Sequence, residues 1–208
     1  MKKQLLSILV VLLVLFSVSQ AQNLSIGPNI ALNIASLNGK DVPSGLGSKT
    51  GIMIGGFLNV PFGKMFALQP ELAFTMKGGS GTIQGTNVTL TSNYIELPVL
   101  LKFYIPLEGK QTIRPSLYAG PAIGLNVAAS ETDQANGQTD NIDLNSKTKS
   151  IEFSLVFGGG VGFRLGTGIL DLSLRYTVGL TTLDNSGQNL TVTTGTFAIV
   201  AGYAFSLK

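Results

Sequence analysis

The sequence predicts an all-β fold, an eight-stranded antiparallel up-and-down transmembrane β-barrel. Three observations carry that prediction. Apolar residues recur at every second position through eight separate segments. The connections between the segments alternate between short and long. The positions between the apolar ones mix charged side chains with glycine and alanine. A period of two is the signature of a strand with two unlike faces and cannot arise from a helix of 3.6 residues per turn.

The chain opens with Lys2 and Lys3, an apolar run from Leu5 to Val18, and the small-x-small sequence Ser19-Gln20-Ala21. This is the pattern of a cleaved export signal over residues 1–21, leaving 22–208 as one barrel domain. The apolar run falls short of the roughly 20 residues that a spanning helix needs. With no cysteine anywhere, a lipid anchor at the cleavage site and all disulfides are excluded. A closed hydrogen-bonded barrel is the natural way to hold such an exported domain together. Removing the two signal lysines changes 14 basic and 11 acidic residues to 12 and 11, so the basic balance belongs largely to the leader and no nucleic-acid partner is implied.

The first strand alternates Leu24, Ile26, Pro28, Ile30, Leu32 and Ile34 with Ser25, Gly27, Asn29, Ala31, Asn33 and Ala35. The second and third carry Ile52/Ile54/Leu58/Val60 and Phe66/Leu68/Leu72/Phe74/Met76, and the fourth and fifth Ile95/Leu97/Val99/Leu101/Phe103 and Ile113/Leu117/Ala119/Ile123/Leu125. The last three begin at Ile151, Leu170 and Phe197. Short links fall near 61–65, 106–111 and 166–168; polar, glycine-rich links near 37–49, 78–86, 129–150 and 181–194 are expected to be long loops. Short periplasmic turns and long external loops are the outer-membrane arrangement, and an even strand number places both termini in the periplasm.

The face opposite the apolar stripe carries Glu71, Lys77, Glu96, Lys102, Arg114, Glu152, Arg164, Asp171 and Arg175 beside many glycines and alanines, Gly158, Gly160 and Gly162 among them. A solvated face has no need of small residues. The interior of an eight-stranded barrel does, because it is just wide enough for large and small side chains to interdigitate. The expected product is a lumen charge network of Glu71, Glu96, Lys102, Arg114, Glu152, Arg164, Asp171 and Arg175, in which Glu96 finds a cross-strand partner such as Arg114. Phe66, Phe103, Phe163, Tyr203 and Phe205 near the short turns, and Phe74, Phe153, Tyr176 and Phe197 near the long loops, form two aromatic belts roughly 19–23 Å apart. Pro28, Pro70, Pro98, Pro115 and Pro121 lie inside strands, where each removes a ladder donor, so bulges or breaks are expected there.

The segments YIELPVLLKF at Tyr94 to Phe103 and RPSLYAGPAIGLN at Arg114 to Asn126 resemble the PorT-type outer-membrane β-barrel family of Bacteroidota. LVFGGGVGFRL at Leu155 to Leu165 and LSLRYTVGLTTL at Leu172 to Leu183 extend the likeness over nearly the whole mature chain. The resemblance implies an eight-stranded outer-membrane barrel. One branch of the family takes part in protein secretion, and the family supplies no catalytic residues.

With neither histidine nor cysteine, Ser-His hydrolysis, thiol chemistry and the usual zinc sites are absent, so no enzyme and no cofactor are expected. Glu131, Asp133, Asp140 and Asp143 in the third long loop lack EF-hand spacing and read as a solvated acidic loop rather than a calcium site. Tyr203, Phe205 and Leu207 form an alternating terminus of the kind that barrel-insertion machinery recognises, although the chain then ends on Lys208. The leading reading is a monomeric scaffold in outer-membrane lipid. Its charge-plugged lumen is rigid, and its loops are available to an envelope or secretion-complex protein. The alternatives are a small-solute channel and a soluble periplasmic ligand-binding β-barrel.

Overall fold

The computed structural model describes residues 24–107, 112–135, 137–188 and 190–207. The expected leader, 1–21, lies outside them. Among the described residues nine strands follow one another: β1 (Ser25–Asn38), β2 (Leu46–Phe62), β3 (Phe66–Ile83), β4 (Thr86–Tyr104), β5 (Ile113–Ala135), β6 (Gln138–Asp143), β7 (Ile151–Leu165), β8 (Gly168–Gly179) and β9 (Thr193–Ser206), with a 3-10 turn at Asn145–Lys147. Every pairing is antiparallel. The order β4-β3-β2-β1-β9-β8-β7-β5 closes on itself through β4–β5, while β6 pairs only with β5 outside the ring. Eight strands therefore form the closed barrel, as the periodicity predicts.

The faces are reversed relative to a soluble protein. Leu97, Phe153 and Ile199 are 46, 52 and 54% exposed on the outside, whereas Lys77 and Glu152 are each 1% exposed inside. A soluble ligand-binding barrel would show the opposite arrangement, so that alternative is removed. Near the short turns Phe62 stacks on Phe66 at 5.9 Å, Phe66 meets Phe103 tilted at 5.3 Å, and Tyr203 meets Phe205 edge-on at 4.8 Å. Phe153, Tyr176 and Phe197 stand exposed toward the other end.

Four of the five prolines interrupt the ladder. Pairing skips from Ile26↔Phe205 to Asn29↔Gly202 around Pro28, from Phe57↔Glu71 to Val60↔Leu68 around Pro70, and from Pro98↔Ala122 to Leu101↔Ala119 between Pro98 and Pro121. A missing N–H leaves nothing to donate at those rungs. Pro115 differs. It stays in register with Val161 on one side, and on the other its carbonyl accepts from the Ile105 amide at 2.9 Å.

The connections at the long-loop end correct the sequence reading. The polar link expected over 78–86 is strand: β3 and β4 pair continuously from Ala73↔Glu96 to Ile83↔Thr86, and Gln84-Gly85 alone make the turn. Both residues have positive φ, 50° and 84°, as in the type I′ hairpins whose twist matches that of the strands. Residues 129–150 likewise contain the β5–β6 hairpin, with Ser130 to Ala135 paired to Gln138 to Asp143. Since about 9–11 residues span the membrane, the 18, 19 and 23 residues of β3, β4 and β5 continue past the rim as a polar sheet.

Candidate functional site

The lumen holds the chemistry, and three sets of ion pairs fill it. Toward the loop end, Lys77 on β3 lies 2.7 Å from both Glu96 on β4 and Glu152 on β7. Glu152 also accepts from the Thr194 hydroxyl. At mid-height Arg175 on β8 grips Glu71 on β3 with two parallel bonds of 2.8 and 2.9 Å. Gln69 and Asn29 donate to the same carboxylate at 2.8 and 3.3 Å. Nearer the turns Lys102 on β4 meets Asp171 on β8 at 2.7 Å.

Lys77–Glu96 joins neighbouring strands, whereas the pairs Lys77–Glu152, Lys102–Asp171 and Glu71–Arg175 cross the lumen between strands that are not adjacent. In the ring order β3 and β8 stand opposite one another, so the Glu71–Arg175 fork bridges the lumen from wall to wall. A bidentate guanidinium–carboxylate pair fixes orientation as well as charge. Aromatic faces supply further contacts to the cations. Lys77 Nζ sits 5.0 Å from the Tyr94 ring centre, and the Arg175 guanidinium 5.5 Å from that of Tyr118, within the range of cation–π attraction. Two apolar clusters complete the filling, Ala31/Met53/Ala73/Ala198/Val200 and Leu100/Tyr118/Ala122/Val156.

Six of the eight residues expected in the charge network, Glu71, Glu96, Lys102, Glu152, Asp171 and Arg175, are brought into ion pairs, and Lys77 proves to be the hub of the loop-side set. The expected Glu96–Arg114 partnership does not form. The β5 neighbour of Glu96 is Gly124, ten residues from Arg114, a distance of about 33 Å along a strand. Arg114 lies instead at the turn end, with its guanidinium 4.4 Å over the Tyr104 ring. Arg164 is exposed at the same end. Among the described residues neither arginine has an ion-pair partner.

The buried apolar members Met53, Leu100, Val156 and Val200 were not singled out by the sequence reading, although a signal exists for them. Three of them are the middle of an unbroken apolar triplet, Ile52-Met53-Ile54, Val99-Leu100-Leu101 and Leu155-Val156-Phe157, while Val200 lies in the longer run Phe197 to Ala201. In a two-faced strand the middle of such a triplet must point inward.

At the loop rim Asp184 organises the β8–β9 connection. Its carboxylate accepts from the Ser186 amide and hydroxyl at 2.9 and 2.5 Å and from the Leu190 amide at 3.0 Å. The bonds from Ser186 hold its pKa below the ordinary aspartate value. A depressed folded pKa means that the stabilisation is present above the unfolded value of about 3.9 and is lost as pH falls through the folded one. The expected result is that the protection of the Ser186 and Leu190 amides, taken relative to their intrinsic exchange rates, is kept at neutral pH and lost only in strong acid, and that Asp184→Asn lowers it at neutral pH. Equal exchange in Asp184→Asn and wild type would remove this role. The acidic residues of the third long loop lie on the β5–β6 hairpin, where Asp133 opposes Asp140. Among the described residues no cluster of three acidic, histidine or cysteine side chains could hold a metal.

The family described as "Outer membrane protein beta-barrel domain" matches residues 20–185 of the chain. Among solved structures, Neisserial surface protein A (NspA) superposes at a TM-score of 0.53 with 12% identity, covering 88% of this chain and 97% of that one. The outer membrane protein OprG from Pseudomonas aeruginosa superposes at 0.50 with 12% identity, covering 89% of this chain and 96% of that one. At this identity the likeness speaks for the fold. No curated protein sequence matches significantly.

Proposed function

Since the chain belongs to the outer membrane protein beta-barrel domain family and is thus a protein of the bacterial outer membrane, we propose that it acts there as a closed, non-conducting scaffold that presents its rim to other envelope components. The observation that carries this reading is the Glu71–Arg175 fork spanning the lumen, flanked above by the Lys77 hub. Buried pairs held by several hydrogen bonds do not part readily, because separating them strands charge away from water. A small solute would have to break both sets to pass. The four acidic and five basic interior residues, Lys77 included, are also too evenly matched to select strongly for either ion sign.

On this reading the leader over 1–21 is removed and both termini face the periplasm. The projecting β3–β6 sheet then stands outside the cell as a rigid recognition surface of the kind that loops on a scaffold supply. The YIELPVLLKF and RPSLYAGPAIGLN segments favour placement in the PorT-type branch, with a secretion-complex or envelope protein as partner. The chain serves as a monomer in lipid, inserted by the barrel-assembly machinery, and performs no catalysis. The test is the conductance of purified protein in planar bilayers. Electrical silence at moderate voltage is expected; a steady open level that persists after repurification would overturn the closed-scaffold reading in favour of a channel.

A further inference from the structure

Below the Glu71–Arg175 bridge the lumen opens at the turn end into a cavity of about 400 Å³. Five cationic side chains line it, Lys64, Lys102, Arg114, Arg164 and Arg175, against two carboxylates, Glu71 and Asp171. Glu71 is taken by Arg175 and Asp171 by Lys102, which leaves Lys64, Arg114 and Arg164 without a carboxylate of their own among the described residues that line the cavity. The excess is three cations in a half-enclosed space, where low-dielectric walls strengthen the field acting on an anion.

Two further features suit the cavity to a ligand rather than to salt alone. Its wall carries neutral hydrogen-bonding side chains beside the charges, those of Asn29, Asn59, Gln69 and Tyr104. At the wall the Arg114 guanidinium is held over the Tyr104 ring. Stacking of this kind holds the planar fork in one orientation and leaves its edge donors free, the arrangement by which arginine takes a tetrahedral oxyanion.

We propose that this turn-end vestibule binds a phosphate ester, with Arg114 and Arg164 as its principal contacts and Lys64 at the rim. The cavity is larger than a bare ion requires and carries polar groups at depth, which favours a phosphate attached to a small polar body such as glycerol. That group occurs both on soluble metabolites and in the headgroup of a phospholipid of the adjoining leaflet. The principal contacts, Arg114 and Arg164, lie at the turn end away from the Glu71–Arg175 fork and are reached from the turn side, so binding there is read separately from conductance.

The experiment uses the full chain in two settings. In neutral maltoside micelles, sn-glycerol 3-phosphate is titrated by calorimetry. In phosphatidylcholine nanodiscs, phosphatidylglycerol retention is read by native mass spectrometry at increasing mole fraction. Saturable binding in the first setting identifies a soluble ester, and selective retention in the second alone identifies a lipid headgroup. In either case Arg114→Gln/Arg164→Gln should weaken binding by roughly tenfold or more, the loss expected for charge-assisted bonds. Lys40→Gln at the opposite rim should leave it unchanged. Should the double variant fail to fold, Lys64→Gln, at an exposed turn position, carries the same test with a smaller loss. No binding in either setting, or binding indifferent to the turn-end variants, overturns the proposal.

Discussion

Replacing Lys77 by methionine is expected to lower the unfolding free energy of the barrel by about 3–5 kcal/mol, the usual cost of removing one partner from a buried ion pair. The side chain has no route to water: Lys77 and Glu152 are fully buried, and Glu96 nearly so. Methionine fills much the same volume, so lost packing contributes little and the effect reports on charge. Two carboxylates 2.7 Å from one ammonium would face each other with no cation between them. The triple variant Lys77→Met/Glu96→Gln/Glu152→Gln should recover most of the loss, because neutral amides carry a far smaller desolvation cost than ions. The readout is urea unfolding in lipid vesicles, followed by the mobility of the folded band in unheated gels. A loss below about 1 kcal/mol in the single variant, the range of exposed pairs, would show that water reaches the set and that the lumen is not closed there.

The residues that make up this set, and those that do not, show where the sequence is informative. Strand number and facing were legible because a barrel in lipid has two solvents, hydrocarbon outside and packed side chains inside, and the contrast repeats every second residue. The partners within the lumen were not legible. Glu96 and Arg114 share a face and lie on adjacent strands, yet pairing depends on the offset between strands, and Tyr94↔Asn126 follows Asn93↔Ala128 across an irregularity that shifts the register. Lys77 meets Glu152 through the ring rather than along the sheet, a relation that no local pattern encodes.

The extended hairpins were missed for a different reason. The stretch Lys-Gly-Gly-Ser-Gly-Thr-Ile at 77–83 has weak strand propensity of its own. It is held as strand by ladders on both sides, Leu46 to Ser48 of β2 and Thr86 to Ser92 of β4. Context of that kind overrides local preference. Gly78, with φ of 144° and space for a Cβ only 1.9 Å from the Leu90 carbonyl oxygen, is at its position because no side chain fits there.

The same crowding yields the second large effect, at Gly158. This residue pairs with Tyr118 across β5 and β7, and a Cβ built on it would stand 2.3–2.4 Å from the ring atoms and hydroxyl of Tyr118. The ring cannot swing aside cheaply. It is buried with Leu100, Ala122 and Val156, its hydroxyl donates to Ser173 at 3.1 Å, and it lies 5.5 and 5.9 Å from the charges of Arg175 and Lys102. Gly158→Val should therefore destabilise the barrel by at least about 1–3 kcal/mol, the range for overpacking a filled interior, with the cations losing their aromatic partner as well. Tyr118→Ala alone should also destabilise, by opening a cavity beneath Arg175. If the two side chains compete for one volume, the double variant Gly158→Val/Tyr118→Ala should lose less than the sum of the singles by about 0.5–3 kcal/mol, the range of coupling between residues in contact. Strict additivity would mean that valine is accommodated elsewhere, so that the glycine row of β7 does not exist to seat the tyrosine whose ring faces the ions spanning the lumen.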